Sequence, residues 1–187
     1  MASTSNNLPG TAANLAGPYA HAWSSVNNIK LIDGVNAACS CPNSDEESDW
    51  LLATNFGFSI PDGATIVGVR VGFLGTTDYM FDGEPAEQVA YGKLYNSGLI
   101  GAERGPVSFN GGESLLGASN NLWGATLTPA IINGANFGVG LKAFIGIADT
   151  FPVNFTVDYI RMIVFYSEGG AMASSAGFPT HLWKLRN

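Results

Sequence analysis

The stretch from Val153 to Tyr166, V-N-F-T-V-D-Y-I-R-M-I-V-F-Y, reads only as a β-strand, and it constrains the fold more than any other part of the chain. Val153, Phe155, Val157 and Tyr159 alternate with Asn154, Thr156 and Asp158, the period-two pattern of a strand with one wet and one buried face. From Ile160 the pattern fills in, with Ile160, Met162, Val164 and Tyr166 pointing one way and Ile163 and Phe165 the other. A strand that begins half exposed and ends covered on both faces belongs centrally in a sheet that packs on a second layer.

Shorter stretches carry the same signature. Trp23–Ile32 and Val35–Cys41 read as two strands joined at Asp33-Gly34, a tight-hairpin signal. In Trp50–Ile60 the residues Trp50, Leu52, Thr54, Phe56, Phe58 and Ile60 share one face, taken as the inner one. After the turn Pro61-Asp62-Gly63, Thr65–Phe73 alternates again with Val67, Val69, Val71 and Phe73 inward. Gln88–Tyr95 is a strand, Leu99–Glu103 and Pro106–Phe109 read as short edge pieces, Gly111–Asn121 as a loop and Trp123–Leu127 as a short strand. Thr128-Pro129 is an N-cap followed by a first-turn proline, which opens one helical turn. Phe137–Ile145 places Phe137, Val139, Leu141, Ala143 and Ile145 inward against Gly138, Gly140 and Lys142. The outward glycines at Gly68, Gly72, Gly138 and Gly140 leave room for a backbone or ring to approach. About eight strands with antiparallel turn chemistry and no repeat predict an all-β, antiparallel two-sheet β-sandwich, a jelly roll. Its core is expected to hold Phe56, Phe58, Val69, Val71, Val139, Leu141, Val157 and Tyr159. Met1–Ala20 is expected to be an extended, loosely held N-terminal arm, 21–166 the domain, and 167–187 a linker with a C-terminal docking peptide.

Composition narrows the function. With 187 residues the chain is long enough for one well-buried domain, and its 24 glycines, 11% aromatic and 12% charged residues fit turn-rich β structure. A net charge of −7 with eight Lys plus Arg leaves no basic surface for phosphates, so nucleic-acid binding is disfavoured. The opening M-A-S-T-S-N-N-L-P-G has neither a basic nor an apolar leader pattern, and no segment approaches the ~18 apolar residues of a membrane helix. The expectation is therefore a protein made in the cytoplasm, with no membrane partner.

Candidate chemistry is sparse. Ser108, Ser114, Cys39 and Cys41 are nucleophile types without a base at hand, because His21 and His181 fall near the ends, and there is no G-x-S-x-G elbow. Cys39 and Cys41 share one face of an extended chain and read as buried reduced thiols; a metal site would have to recruit both histidines. Asp78, Asp82, Glu84 and Glu87 crowd one acidic loop that could supply a carboxylate pair, but such runs are usually solvated surface. The expectation is no enzyme, no catalytic residue and no cofactor. For a binding module, Tyr79, Phe81, Trp123 and Trp50 are candidate glycan or interface aromatics, and Asp45, Glu46, Glu47 and Asp49 could gather a calcium ion. The alternative for both tryptophans is core or interface packing.

Three blocks, L-L-A-T-N-F-G-F-S-I-P-D-G-A-T-I-V-G-V-R-V (Leu51–Val71), L-T-P-A-I-I-N-G-A-N-F-G-V-G-L (Leu127–Leu141) and V-D-Y-I-R-M-I-V-F-Y (Val157–Tyr166), resemble a pattern recurrent in small structural proteins of tailed bacteriophages. The resemblance implies a jelly-roll virion component without catalysis: a capsid-surface decoration protein, with a tail or fibre-attachment component or a glycan-binding module contacting the host surface as alternatives. It assigns no defined binding residue. By the same analogy the expected partners are further copies of the chain, as a trimer, and the major capsid protein. The end of the chain fits an assembly role: after the linker S-E-G-G-A-M-A-S-S-A-G, Phe178, Leu182, Trp183 and Leu185 return beside Lys184 and Arg186, the composition of a tethered peptide that orders on a neighbour.

Overall fold

A computed structural model of the protein describes residues 1–78, 88–146 and 152–168. Two antiparallel sheets face one another. The first contains β3 (Ala37–Cys41), β11 (Val153–Ser167), β6 (Thr65–Thr77) and β9 (Asn110–Ala118), in the order β3-β11-β6-β9. The second contains β5 (Trp50–Thr54), β10 (Phe137–Ile145), β7 (Gln88–Asn96) and β8 (Leu99–Ser108), in the order β5-β10-β7-β8. Taken in chain order as strands one to eight, they fall as 1-8-3-6 against 2-7-4-5, which is the jelly roll expected from the sequence. The two-residue β4 (Glu46–Glu47) pairs the far end of β10.

The N-terminal residues are extended, as expected, but they are not a loose arm. β1 (Ala2–Ser3) pairs Tyr166 and Phe165 of β11, Asn7 bridges Met162, and β2 (Thr11–Leu15) pairs β5 from Thr54 to Trp50. The segment thus runs from one sheet to the other: β1 pairs the end of β11 that β3 leaves free, and β2 covers the edge strand β5. Edges of this kind, left bare, would offer a row of unpaired backbone groups. Small and polar side chains suffice there, because backbone pairing is supplemented by contacts such as Ala12 against the core and Asn7 Nδ2 donating to Phe56 O at 2.7 Å.

The core lies between the sheets. Val69, Val71 and Phe73 of β6, all five inward residues of β10 and Val153, Phe155, Val157, Ile160, Met162 and Val164 of β11 are essentially inaccessible. Phe109, where the chain passes from β8 to β9, sets its ring tilted against those of Phe155 and Phe73, with centroids 5.0 and 5.7 Å away. Seven of the eight expected core residues sit in this cluster; Tyr159 does not. A β-bulge between Val157 and Tyr159 shifts the pairing with β6, so the inward set changes from odd to even numbers and Tyr159 turns outward. Its hydroxyl reaches Glu113 Oε1 at 3.3 Å, and Arg161 lies over its ring. A second bulge near Tyr166 likewise puts Ile66 in the core in place of Val67.

Four other expectations are corrected. Trp23–Ile32 is not a strand: Val26–Lys30 is a 3-10 turn whose Ile29 is fully buried, and only Ser24 bridges to β3. The strand expected over Trp50–Ile60 ends at Thr54, because Asn55 (φ 58°) and Gly57 (φ 67°) take left-handed backbone. Within it Leu51 and Ala53 face the core while Trp50 and Leu52 lie on the outer face. β8 and β9 are long strands where short pieces and a loop were expected, and Trp123 (φ 58°) lies in a turn, not a strand. The helical turn is as read: α1 (Pro129–Ile132) begins with Ile131 N donating to Thr128 Oγ1 at 3.3 Å.

Candidate functional site

Two surfaces stand out, one on the outside of each sheet. On the first, the 3-10 turn delivers the chain into the loop 31–36, which is held at several points. Ile29 plugs the core beneath it, Asn28 Nδ2 donates to Asn36 O at 2.9 Å, and Val35 N donates to Asp33 Oδ1 at 3.0 Å. Gly34, at φ 77°, makes the turn, and its N–H donates to Asp158 Oδ1 at 2.9 Å. Pinned in this way, the loop still presents Leu31, Ile32 and Val35 to solvent at 59, 60 and 54% exposure. Beside them opens a pocket of about 220 Å³ lined by Gly34, Asn36, Leu74, Thr76, Thr156 and Asp158, among others. Asp158 is 5% exposed, and among the described residues no Lys or Arg pairs with it. The bulge that turns Tyr159 outward also sets this carboxylate into the pocket.

On the second sheet the outer face is organised by Lys142, whose side chain is only 10% exposed. Its ammonium donates to Glu47 Oε1 at 2.7 Å, meets Glu103 Oε2 at 3.1 Å, and lies 5.1 Å from the Trp50 ring centre and 5.4 Å from that of Tyr91. Burial alone would pull its pKa down, but the hydrogen bonds and charges of Glu47 and Glu103 outweigh that and hold it above its ordinary 10.5. Gly140 leaves room for the arrangement. A Cβ there would come within 3.0 Å of the Trp50 ring and 3.1 Å of Leu52, so any larger residue would push both side chains outward by a few tenths of an ångström. Around this centre Tyr91, Tyr95 and Phe144 are partly exposed, with Tyr91 edge-on to Phe144 at 6.3 Å.

The four acidic residues considered for calcium do not converge. Glu46 binds His21 Nε2 at 2.8 Å and Asn43 at 2.9 Å, and Glu47 is taken by Lys142. Asp49 is buried and receives Gly17 N and Asn14 Nδ2, both at 2.7 Å, while Asp45 is exposed in left-handed backbone. No group of three or more His, Cys, Asp or Glu is placed to hold a metal among the described residues. Asp49 is instead the clasp of the N-terminal segment, next to Trp23, whose indole N–H donates to Asp49 O and Ser48 Oγ.

Among the glycan candidates, Trp123 takes the core alternative. It has no exposed surface, and its indole N–H donates to Val69 O at 2.9 Å, because its left-handed turn tucks the ring under β6. Trp50 is 9% exposed, sealed by Lys142 and Leu52. Tyr79 and Phe81 lie outside the described residues, as do Phe178, Leu182, Trp183 and Leu185 of the tail, His181, and Asp82, Glu84 and Glu87. Asp78 is held by Asn154, which donates through its backbone N at 2.8 Å and its side chain at 2.6 Å. His21 is not in a free end: it stacks on Tyr19 and pairs Glu46. Cys39 and Cys41 are both buried, and the contact with Cys41, then burial, push the Cys39 thiol well above its ordinary value. No helix of the described residues is long and apolar enough to cross a membrane.

The sequence reasoning missed Asp158 and the loop beside it. Asp158 was read as the wet face of an alternating strand, and Leu31 and Ile32 as part of a strand. The only available signal was that Asp158 interrupts the most apolar stretch of the chain.

No family model matches the chain, and no curated protein does. Among solved structures it is similar to one described as "CBM4 structure and function", at 10% identity over 81% of this chain and 91% of that one, with a TM-score of 0.39. A likeness of that size carries no functional weight.

Proposed function

We propose that the protein is a non-catalytic structural component of a tailed-phage virion, a capsid-surface decoration protein that acts by docking. The observation that carries this reading is the loop at Leu31, Ile32 and Val35. Three large apolar side chains, each more than half exposed within five residues, stand on a loop that is firmly held from below. A surface of this kind favours association, since burying it against a partner removes apolar area from water. The resemblance of Leu51–Val71, Leu127–Leu141 and Val157–Tyr166 to phage structural proteins supports the virion as the setting. The test is to replace Leu31, Ile32 and Val35 together by Ser and measure copies per purified particle. The expected result is a folded protein with much reduced incorporation; unchanged incorporation counts against the reading.

A second reading, a glycan-binding module, is favoured by the partly exposed Tyr91, Tyr95 and Phe144 beside Glu103 on the outer face of the second sheet. A glycan array separates the two: specific sugar binding lost in Tyr91→Ala supports it, and a blank array sets it aside.

A further inference from the structure

The pocket beside the exposed loop holds a buried carboxylate with no positive partner among the described residues. Asp158 is 5% exposed and receives one backbone N–H, from Gly34, with no cation beside it among the described residues. An ionised carboxylate withdrawn from water is stable only when hydrogen-bonded and paired. The rest of the lining is the Asn36 amide, the Thr76 and Thr156 side chains and apolar Leu74, with Gly34 and Gly111 leaving open space where a side chain would stand. About 220 Å³ suits the end of a Lys or Arg side chain with its stem against Leu74, and one carboxylate suits one positive head group. The acid and the apolar loop lie together, so the matching ligand is a peptide that carries a basic residue between apolar ones.

We infer that the occupant is the C-terminal segment Leu182–Asn187 of a neighbouring copy of this chain, with Lys184 or Arg186 on Asp158 and Leu182, Trp183 and Leu185 on Leu31, Ile32 and Val35. The segment reads L-W-K-L-R-N, which alternates apolar and basic residues, in a chain with only eight Lys and Arg against 15 acidic residues. Chain length permits it. Lys184 lies 17 residues beyond Ser167, the end of β11, a reach of up to about 56 Å. β11 runs from the pocket toward its other end, so Ser167 is about 30 Å away along the strand. The tail of the same chain is therefore the competing occupant, and self-association distinguishes the two. The inference rests on the docking role proposed for this surface, but self-association in solution is measured without any virion, so the two can fail separately.

The experiment is sedimentation velocity of the full chain over micromolar concentrations for wild type, Asp158→Asn, the tail variant K184Q/R186Q and their combination. Asp158→Asn keeps the acceptor for Gly34, and the tail changes lie outside the described domain, so folding is retained in at least one arm. The expected result is self-association weakened at least about tenfold by each change, with no further loss in the combination, because both remove the same contact. Variants that associate like wild type overturn the inference. A monomeric wild type also overturns it, and if hydrogen-exchange protection of 178–187 is then lost in Asp158→Asn, the tail belongs on its own domain.

Discussion

Replacing Lys142 by Met tests how the outer face of the second sheet is held. Methionine keeps the stem that packs on Trp50 but removes the charge, so the loss measures the ammonium's interactions. Glu47 and Glu103 sit at 2.7 and 3.1 Å and keep 25 and 36% exposure, so water can replace the lysine at both, and each pair is worth about 0.5–1 kcal/mol. Two ring contacts near 5 Å add about 0.5–1 kcal/mol each at a site this sheltered. The sum is about 2–4 kcal/mol, which in a chain of this size lowers Tm by about 4–16 °C. The assay is chemical denaturation at neutral pH together with a double-mutant cycle against Glu47→Gln. A coupling energy of about 1 kcal/mol is expected. If K142M is within about 0.5 kcal/mol of wild type, solvent screens the pairs and the reasoning fails.

Three further outcomes are expected. Phe155→Ala, which empties a fully buried site against Phe109, should cost about 3–5 kcal/mol, measured by denaturant midpoint. Deleting residues 1–15 should lower the melting temperature and raise light scattering, since it bares the strand edges now paired by β1 and β2; an unchanged melt would restore the loose-arm reading. In a Cys39→Ala background, which removes the other group whose pKa is raised, stability should hold from neutral pH to about pH 9 and then fall. Lys142 is held above 10.5 by Glu47 and Glu103 against the pull of burial, and Tyr159 is raised above 10.0 by burial and then Glu113. A raised folded pKa gives stability that is complete below the unfolded value and disappears as pH climbs through the folded one, so a loss already present near pH 8 would contradict the assignment.

The jelly roll was legible because its inner strands are covered by opposite layers on different faces. β10 has glycines outward and branched or aromatic residues inward, and every inward assignment in it is correct. β5 misled because both of its faces are covered, Leu51 and Ala53 by the core and Trp50 and Leu52 by packing around Lys142, so no polar alternation remains to fix its phase. The bulge at Asp158 was invisible for a related reason. Period-two reasoning assumes an unbroken ladder, and one extra residue reverses every face after it. β1, β2, β8 and β9 carry small or polar residues whose contacts are mainly backbone pairing, which leaves little trace in side-chain pattern. The candidate site followed the same limits: the apolar loop was absorbed into a supposed strand, and its carboxylate was read as ordinary wet face.

On the proposed reading, this chain sits in a virion with the surface at 31–36 and Asp158 covered by a neighbouring copy or another virion protein. A cryo-electron microscopy map of virions purified from the source of this sequence tests that proposal most directly. The account predicts jelly-roll density on the outside of the capsid, with Leu31, Ile32 and Val35 covered by protein. Particles that lack this chain, or a map in which that loop faces bulk solvent in every copy, would contradict it.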